Sequence, residues 1–453
     1  MAKRTVLRAA ALVGALTVTL AACGSEEEAA PAGGESTAAA GGSSAAAAPS
    51  SEAPSAADCD PPQATATGTP STEPLIIGSL LPETGSLAFL GPPEFAGLDL
   101  AVNEINEAGG VLDKPVTHNR GDSGDDKTDT ANQTVDRLIA GNAQVIVGAA
   151  ASGVSKLVID KITGAGVVQF SPANTSDEFT CWEDEGLYFR TAPPDLLQAQ
   201  ALSEMLATDG AQRVSLLARN DAYGEGLATN TQANLIAAGI PEDQIQSIVY
   251  DPNASSYNAE VDQLVEFDAD AIVVIGFDES KKILTRMGEV QIGPAQKDVY
   301  GTDGNIGNAL GEGLAPGLLE GMQGTLPLTD LAPDFEQRLL ALDPALKDFN
   351  YAGESYDAVV VSALAAEVAK STAGQDIGSE INGVTQEGEA CTTYAACLAI
   401  IDAGGDPDYN GVTGPLEFTA SGEPGAASFG IQTFDAQNAI DAAATQYVLV
   451  GDS

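Results

Sequence analysis

Four short segments carry the residues best suited to meet a small charged ligand. Ala149-Ala150-Ala151-Ser152-Gly153 follows the apolar run VIVG and precedes a helical pattern. Its small side chains leave backbone N–H groups open, and a helix N-terminus attracts an anion. Ser152 either binds there or caps the helix, and the two roles are compatible. Ser171-Pro172-Ala173-Asn174-Thr175 follows VVQF in the same way, and an ordinary Asx or Ser turn accounts for it equally. Asn220-Asp221-Ala222-Tyr223-Gly224 sets a flat amphipathic ring between strand and helix, facing a ligand or packed inside. Asp303, within YGTDG, places a carboxylate just after the apolar run that DVYG closes.

Catalysis is not expected. His118 is the single histidine, on a polar strand-like stretch that reads as surface. GxSxG, HExxH and GxxxxGK[ST] patterns do not occur, and GEGLAPG has the wrong glycine spacing for a dinucleotide loop. The acidic stretch Gly121-Asp122-Ser123-Gly124-Asp125-Asp126 invites a calcium reading but lacks the Glu that EF-hand spacing requires at its twelfth position. It is read as a solvated loop with Asp122 close to the cleft, and no metal or cofactor is expected.

The elements that must position these segments alternate from Leu75 onward. Short β-rich runs (LIIGSL, AQVIVGAA, VVQFSP, LYFRTA) are separated by helical stretches. Phe95, Leu98, Val102 and Ile105 recur at helical spacing, and Gly109-Gly110 ends that helix. The alternation resumes through RVSLLARN, SIVYD, DAIVVIGF and DVYGTDG. Apolar strands with helices between them predict two α/β lobes, each a parallel sheet covered on both faces. The 453 residues, 44% hydrophobic, are ample for one large or two medium cores. A formal charge of −46 excludes nucleic acid as a partner and gives a solvated surface.

The N-terminus reads as a targeting segment. Lys3, Arg4 and Arg8 precede an apolar run, Ala9 to Ala22, too short for a permanent bilayer span. Leu20-Ala21-Ala22-Cys23 closely resembles a bacterial lipoprotein signal, which makes Cys23 the lipidated residue and residues 1–22 the cleaved peptide. Lipid chains contribute about 0.8 kcal/mol per buried methylene, so a multiply acylated cysteine anchors stably. Residues 24–73 contain only Ala, Gly, Ser, Pro, Thr, Gln, acids and Cys59, a composition that builds no core. They are expected to form a tether spanning roughly 40 Å. Four cysteines remain and allow three pairings. A local Cys391–Cys397 bridge is the simplest, leaving Cys59 to Cys181.

In this order and spacing the segments resemble the type I periplasmic binding proteins, specifically the branched-chain amino-acid-binding group of ABC-transporter receptors. The resemblance covers about 74–430. It opens with IGSLLPETGSLAFLGPPEFAGLDLAVNEINEAGGV and runs through VIVGAAASGVS, FSPANTSDEFT, YFRTAPPD, RNDAYGEGLA and YGTDG to GVTGPLEFTASGE. It implies two doubly wound lobes joined by three crossings, near Thr191–Asp195, Gly324–Leu328 and Gly411–Leu416, with ligand in the cleft. Lobe 1 would hold 74–193 and 326–412, lobe 2 would hold 194–325, and 413–453 would be a crossing followed by strands mostly of lobe 2. Ser152 would donate its hydroxyl to a ligand carboxylate, Ala173 would bind through its backbone, and Thr175 through hydroxyl and N–H. Tyr223 would lie over the ligand and Asp303 would face its ammonium. Phe277 and Leu90 would supply apolar wall. Family members usually carry the longer Glu at the Asp303 position and an aromatic at Leu90, so the side-chain pocket differs. The resemblance implies a monomeric receptor that closes on an amino acid or small carboxylate and docks on permease subunits at the outer membrane face. An amide, urea or aromatic-acid receptor, or a sensor coupled to signalling, is the alternative.

Overall fold

A computed structural model describes residues 59–451, all within one compact unit. Lobe 1 begins with β1 (Ile76–Leu80), α1 (Gly91–Glu107), β2 (Thr117–Asn119), α2 (Thr130–Ala140), β3 (Val145–Gly148), α3 (Ser152–Thr163), β4 (Val168–Ser171) and β5 (Tyr188–Arg190). Its five strands run parallel in the order β2-β1-β3-β4-β5. The central VIVG of β3 is buried along its whole length, as a strand covered on both faces requires.

Lobe 2 follows with α4 (Asp195–Asp209), β6 (Val214–Arg219), α5 (Ala222–Ala237), β7 (Ile245–Tyr250), α6 (Asn258–Phe267) and β8 (Ala271–Ile275). It continues through α7 (Ser280–Glu289), β9 (Asp298–Gly301), α8 (Asn308–Gly311) and β10 (Gln323–Pro327). The chain then returns to lobe 1 with α9 (Pro333–Leu342), α10 (Ala352–Ala369), α11 (Gly374–Gly378), β11 (Glu389–Cys391), α12 (Tyr394–Asp402), β12 (Pro407–Gly411) and β13 (Gly414–Pro415). Finally β14 (Ala426–Thr433) and β15 (Gln446–Gly451) join lobe 2. Its seven-stranded sheet runs β15-β14-β10-β9-β8-β6-β7, parallel except for the last two strands of the chain, which pair antiparallel. A small three-stranded sheet, β11-β12-β13, sits apart from both.

Helix α10 is apolar on every side and buried along most of its length against α1, α12 and the lobe 1 sheet. Its buried Asp357 accepts from the Tyr409 hydroxyl (2.7 Å), the Val412 and Thr413 N–H groups (3.0 Å each) and the Thr413 hydroxyl (2.6 Å). That one carboxylate holds the start of the chain's last passage against lobe 1.

Two expectations change here. The third crossing lies later than 411–416, at Pro424–Ala426. Leu416 and Phe418 bury their side chains in the lobe 1 core, and Glu423 is buried against Arg190, so 413–423 belong to lobe 1. The stretch before β1 is also only partly what its composition suggested. Cys59 is bonded to Cys181, Gln63 donates to the Ala420 carbonyl (2.8 Å), and Thr67 N–H donates to Asp376 (2.6 Å). Ser71 N–H reaches the Ser371 hydroxyl (2.9 Å). Residues 59–73 thus form an arm laid along lobe 1 by hydrogen bonds and one disulfide rather than by apolar burial, which is why composition did not reveal it. Cys391 and Cys397 form the second bridge. Cys23 and the rest of the expected tether lie outside the described residues.

Candidate ligand-binding site

The first wall is set at the end of β3. Gly148 has φ +124°, and a Cβ there would come within 2.1 Å of the Leu80 carbonyl oxygen, so only glycine lets the chain turn at that point. Ala149–Ala151 then lead into α3, whose first N–H groups have no partner within the helix. Ser152 does not cap α3. Its Oγ accepts from Ser176 N–H at 3.3 Å, which leaves the hydroxyl proton free to donate. The neighbouring loop is fixed by Ser171, whose hydroxyl donates to the Ala149 carbonyl (2.7 Å) and accepts from Asn174 N–H (2.9 Å). Asn174 in turn donates to the Ala150 carbonyl (2.8 Å). Buried Arg190 braces the loop from behind, donating to the Ser176 carbonyl (2.8 Å) and, through Nε, to Glu423 (2.8 Å).

The opposing wall belongs to lobe 2. Tyr223 opens α5, and Gly224 after it is required because a Cβ would lie 2.2 Å from the Arg219 carbonyl oxygen. The Tyr223 ring stacks on Phe277 with centroids 5.5 Å apart, and the Arg219 guanidinium lies 3.5 Å from the Phe277 centroid. Arg219 is itself neutralised by Asp221 (2.6 Å) and Glu279 (2.8 Å), so it serves as a prop for the aromatic pair. Asp303 receives the Tyr223 hydroxyl on Oδ1 at 2.6 Å and the Tyr351 hydroxyl on Oδ2 at 2.8 Å. Burial pushes its carboxyl above the ordinary range despite these donors.

All seven residues singled out in the sequence meet in one cavity. Leu90, Ser152, Ala173, Thr175, Tyr223, Phe277 and Asp303 line a space of about 250 Å3. Tyr351 lines it too and was missed. It sits just before α10 with φ +59°, in a stretch whose sequence carries no strand–helix step to flag it. Tyr351 comes from lobe 1, so Asp303 is hydrogen-bonded from both lobes at once. The preceding residues make further bridges to lobe 2. Asn350 donates to the Ile306 carbonyl (2.9 Å), Asp348 accepts from the Asn308 side chain (2.7 Å), and Lys347 pairs with Glu312 (2.8 Å). Leu346 and Phe349 meanwhile pack on the lobe 1 core. Residues 346–351 are therefore a strap rooted in lobe 1 and fastened to lobe 2.

The acidic loop borders the cleft, where Ser123–Asp126 share a small pocket with Arg219, Asp221 and Phe277 of lobe 2. Asp122 does not line the cavity. It accepts from the N–H groups of Glu83 (3.0 Å), Thr84 (3.1 Å) and Gly124 (2.8 Å) and from the Thr84 hydroxyl (2.6 Å), stitching the β1–α1 loop to its own. Partial burial raises its pKa, but these donors prevail and hold it below the ordinary carboxylate range. No cluster of three or more metal-ligating side chains occurs among the described residues. His118 is not a surface group either. Its side chain is 10% exposed and bridges Asp99 (2.7 Å) and Ser79 (2.8 Å).

Two α/β lobes closed over a small cavity, with an acid on one wall and a helix N-terminus on the other, define a hinged solute-binding protein. Residues 74–421 match the periplasmic binding protein family, and the chain belongs to it, with the two-lobed type I fold. The chemotactic signal transduction substrate-binding protein BasB of Halobacterium salinarum is 26% identical over 78% of this chain and 85% of its own. The Leu/Ile/Val-binding protein homolog 3 of Brucella melitensis is 29% identical over 47% of this chain and 57% of its own. The fold is that of LivJ from Streptococcus pneumoniae, solved with isoleucine, at TM-score 0.67 and 22% identity over 83% of this chain and all of that one. A Rhodopseudomonas palustris solute-binding protein solved with benzoate has TM-score 0.64 at 14% identity, over 83% of this chain and 95% of that one.

Proposed function

We propose that this chain captures a small α-amino acid outside the cytoplasmic membrane and presents it to a membrane permease. The observation that carries the reading is the polarity of the closed cavity. Asp303 stands on one wall, and the free hydroxyl of Ser152 with the N-terminus of α3 stands on the other. A zwitterion satisfies both: its ammonium meets the carboxylate, and its carboxylate meets hydroxyl and N–H donors. Each Asp303 oxygen accepts a hydrogen bond from one tyrosine hydroxyl and has capacity for a further one from the ammonium. Leu87, Leu90 and Phe277 then surround a compact apolar side chain. A benzoate-like acid would leave the buried Asp303 without its counter-ion, which disfavours it here. Closure follows as a population shift, since only the closed form brings both walls to the ligand.

A thermal-shift panel of the common amino acids and aromatic carboxylates tests this. Apolar amino acids should raise Tm by RT ln(1 + [L]/Kd) in free-energy terms, and the acids lacking an ammonium should not. A shift produced by benzoate alone would overturn the assignment. The BasB relationship supports a second destination for the same ligand, a chemotactic signalling partner in place of a permease. Lipid attachment at Cys23 would hold either version at the membrane face. Mass spectrometry of the chain from a lipoprotein-processing host should find a diacylglyceryl cysteine, and an unmodified Cys23 would remove that part of the proposal.

A further inference from the structure

A second cavity of about 330 Å3 lies at the hinge and shares no lining residue with the one that holds Asp303. Pro193 of the first crossing, Pro327 of the second, Pro424 of the third, Leu416 of lobe 1 and Leu449 of lobe 2 make a mostly apolar wall. Leu449, 72% exposed on β15, lets this wall be reached from solvent. Beside buried Thr191, this cavity is lined by Glu354, in the first turn of α10. It is 7% exposed, and among the described residues no other residue donates to its carboxyl. Burial lifts its pKa to about 8, and Glu94 beneath it has both oxygens unpartnered. Glu417 is the other charged group of the lining, which contains no Lys or Arg.

A mostly apolar wall with two acids and no base disfavours anions and suits a molecule that is apolar except for a positive end. We propose that the hinge cavity is a second small-molecule site, taking an alkyl- or arylamine whose body lies on the Pro193, Pro327 and Leu449 wall and whose ammonium meets the Glu354 carboxylate, the carboxyl releasing its proton to solvent as the amine binds. The cavity is walled by both lobes and by all three crossings, so its shape depends on the angle between the lobes. An occupant that fits this shape favours this arrangement over any other, which makes the site a lever on the cleft.

Calorimetry on the purified protein with n-hexylammonium, n-hexanol and hexanoate tests the proposal. Hexylammonium should bind at least tenfold more tightly than hexanoate. Glu354→Gln should reduce it to the level of hexanol. Ser428→Trp, which fills the cavity from β14, should weaken hexylammonium at least tenfold. Leu449→Lys should do the same from an exposed position that does not threaten folding. Absence of hexylammonium binding at millimolar concentration, or full retention in Leu449→Lys, would overturn the site. Retention would also show that the amine had entered the cleft instead.

Discussion

In the proposed assignment, ligand choice turns on Asp303. Buried and shared between two tyrosine hydroxyls, it stays partly protonated to higher pH than an exposed aspartate. Asp303→Asn keeps the shape and removes the charge. Affinity for an amino acid should fall about 100-fold, about 2.7 kcal/mol, while a neutral amide of the same side chain loses far less. Equal losses by titration calorimetry would separate Asp303 from the ammonium. The sign of the pH effect follows from the same carboxyl. Affinity should decline as pH falls through its raised pKa, above the window near 4 where an ordinary aspartate titrates. At this scale the sequence was informative wherever a site residue sits on a strand-to-helix step, as Ser152, Tyr223 and Asp303 do. Tyr351 does not, and its partnership with Asp303 joins residues far apart in the chain, which no local pattern encodes.

Among the elements, the strap 346–351 and the arm 59–73 were the least legible. Alternating apolar runs announced both sheets, because a strand covered on two faces must be apolar throughout. The arm has no apolar run and is held by Asp376, Ser371 and the Cys59–Cys181 bridge. The third crossing was misplaced for a related reason. GVTGPLEF looks like a hinge, but Leu416, Phe418 and Glu423 all find lobe 1 partners that proximity in sequence does not reveal. The Cys59–Cys181 bridge closes a loop with a sequence separation of 122. Chain-entropy reasoning gives such a loop roughly 5 kcal/mol as an upper figure. Cys59→Ser with Cys181→Ser should lower Tm by several degrees in calorimetry and leave cleft affinity nearly unchanged. An unchanged Tm would mean that the arm is held by its hydrogen bonds alone. Arg190→Met should be costlier, about 3–5 kcal/mol, because it strands buried Glu423 and releases the loop that carries Thr175.

For the molecule as a whole, pH acts through carboxyls the fold keeps from water. Burial raises Asp184 to about 7 and Glu354 to about 8. In the folded chain each keeps a proton that the unfolded chain has already released. Their contribution is therefore full below the ordinary carboxylate range and is lost as pH rises through about 7 and then about 8. Tm should fall as pH rises from about 4 to about 8, and Glu354→Gln should make that slope shallower up to its alkaline end. A Tm that rises over this window would contradict the burial of both groups. Salt should act in the opposite direction at the alkaline end, since a formal charge of −46 repels itself and screening relieves it.

The arm has a mechanical consequence. Its contacts from Cys59 to Thr72 all fall on lobe 1, at Cys181, Ala420, Asp376, Ser371 and Lys114. A pull on the chain ahead of Cys59 is therefore taken up by lobe 1 through a covalent bridge, and none of it reaches the crossings. If the chain ahead of Cys59 is held at a membrane, as proposed, lobe 1 is the fixed jaw and lobe 2 the moving one. Tension or drift in whatever precedes the arm leaves the angle between them untouched.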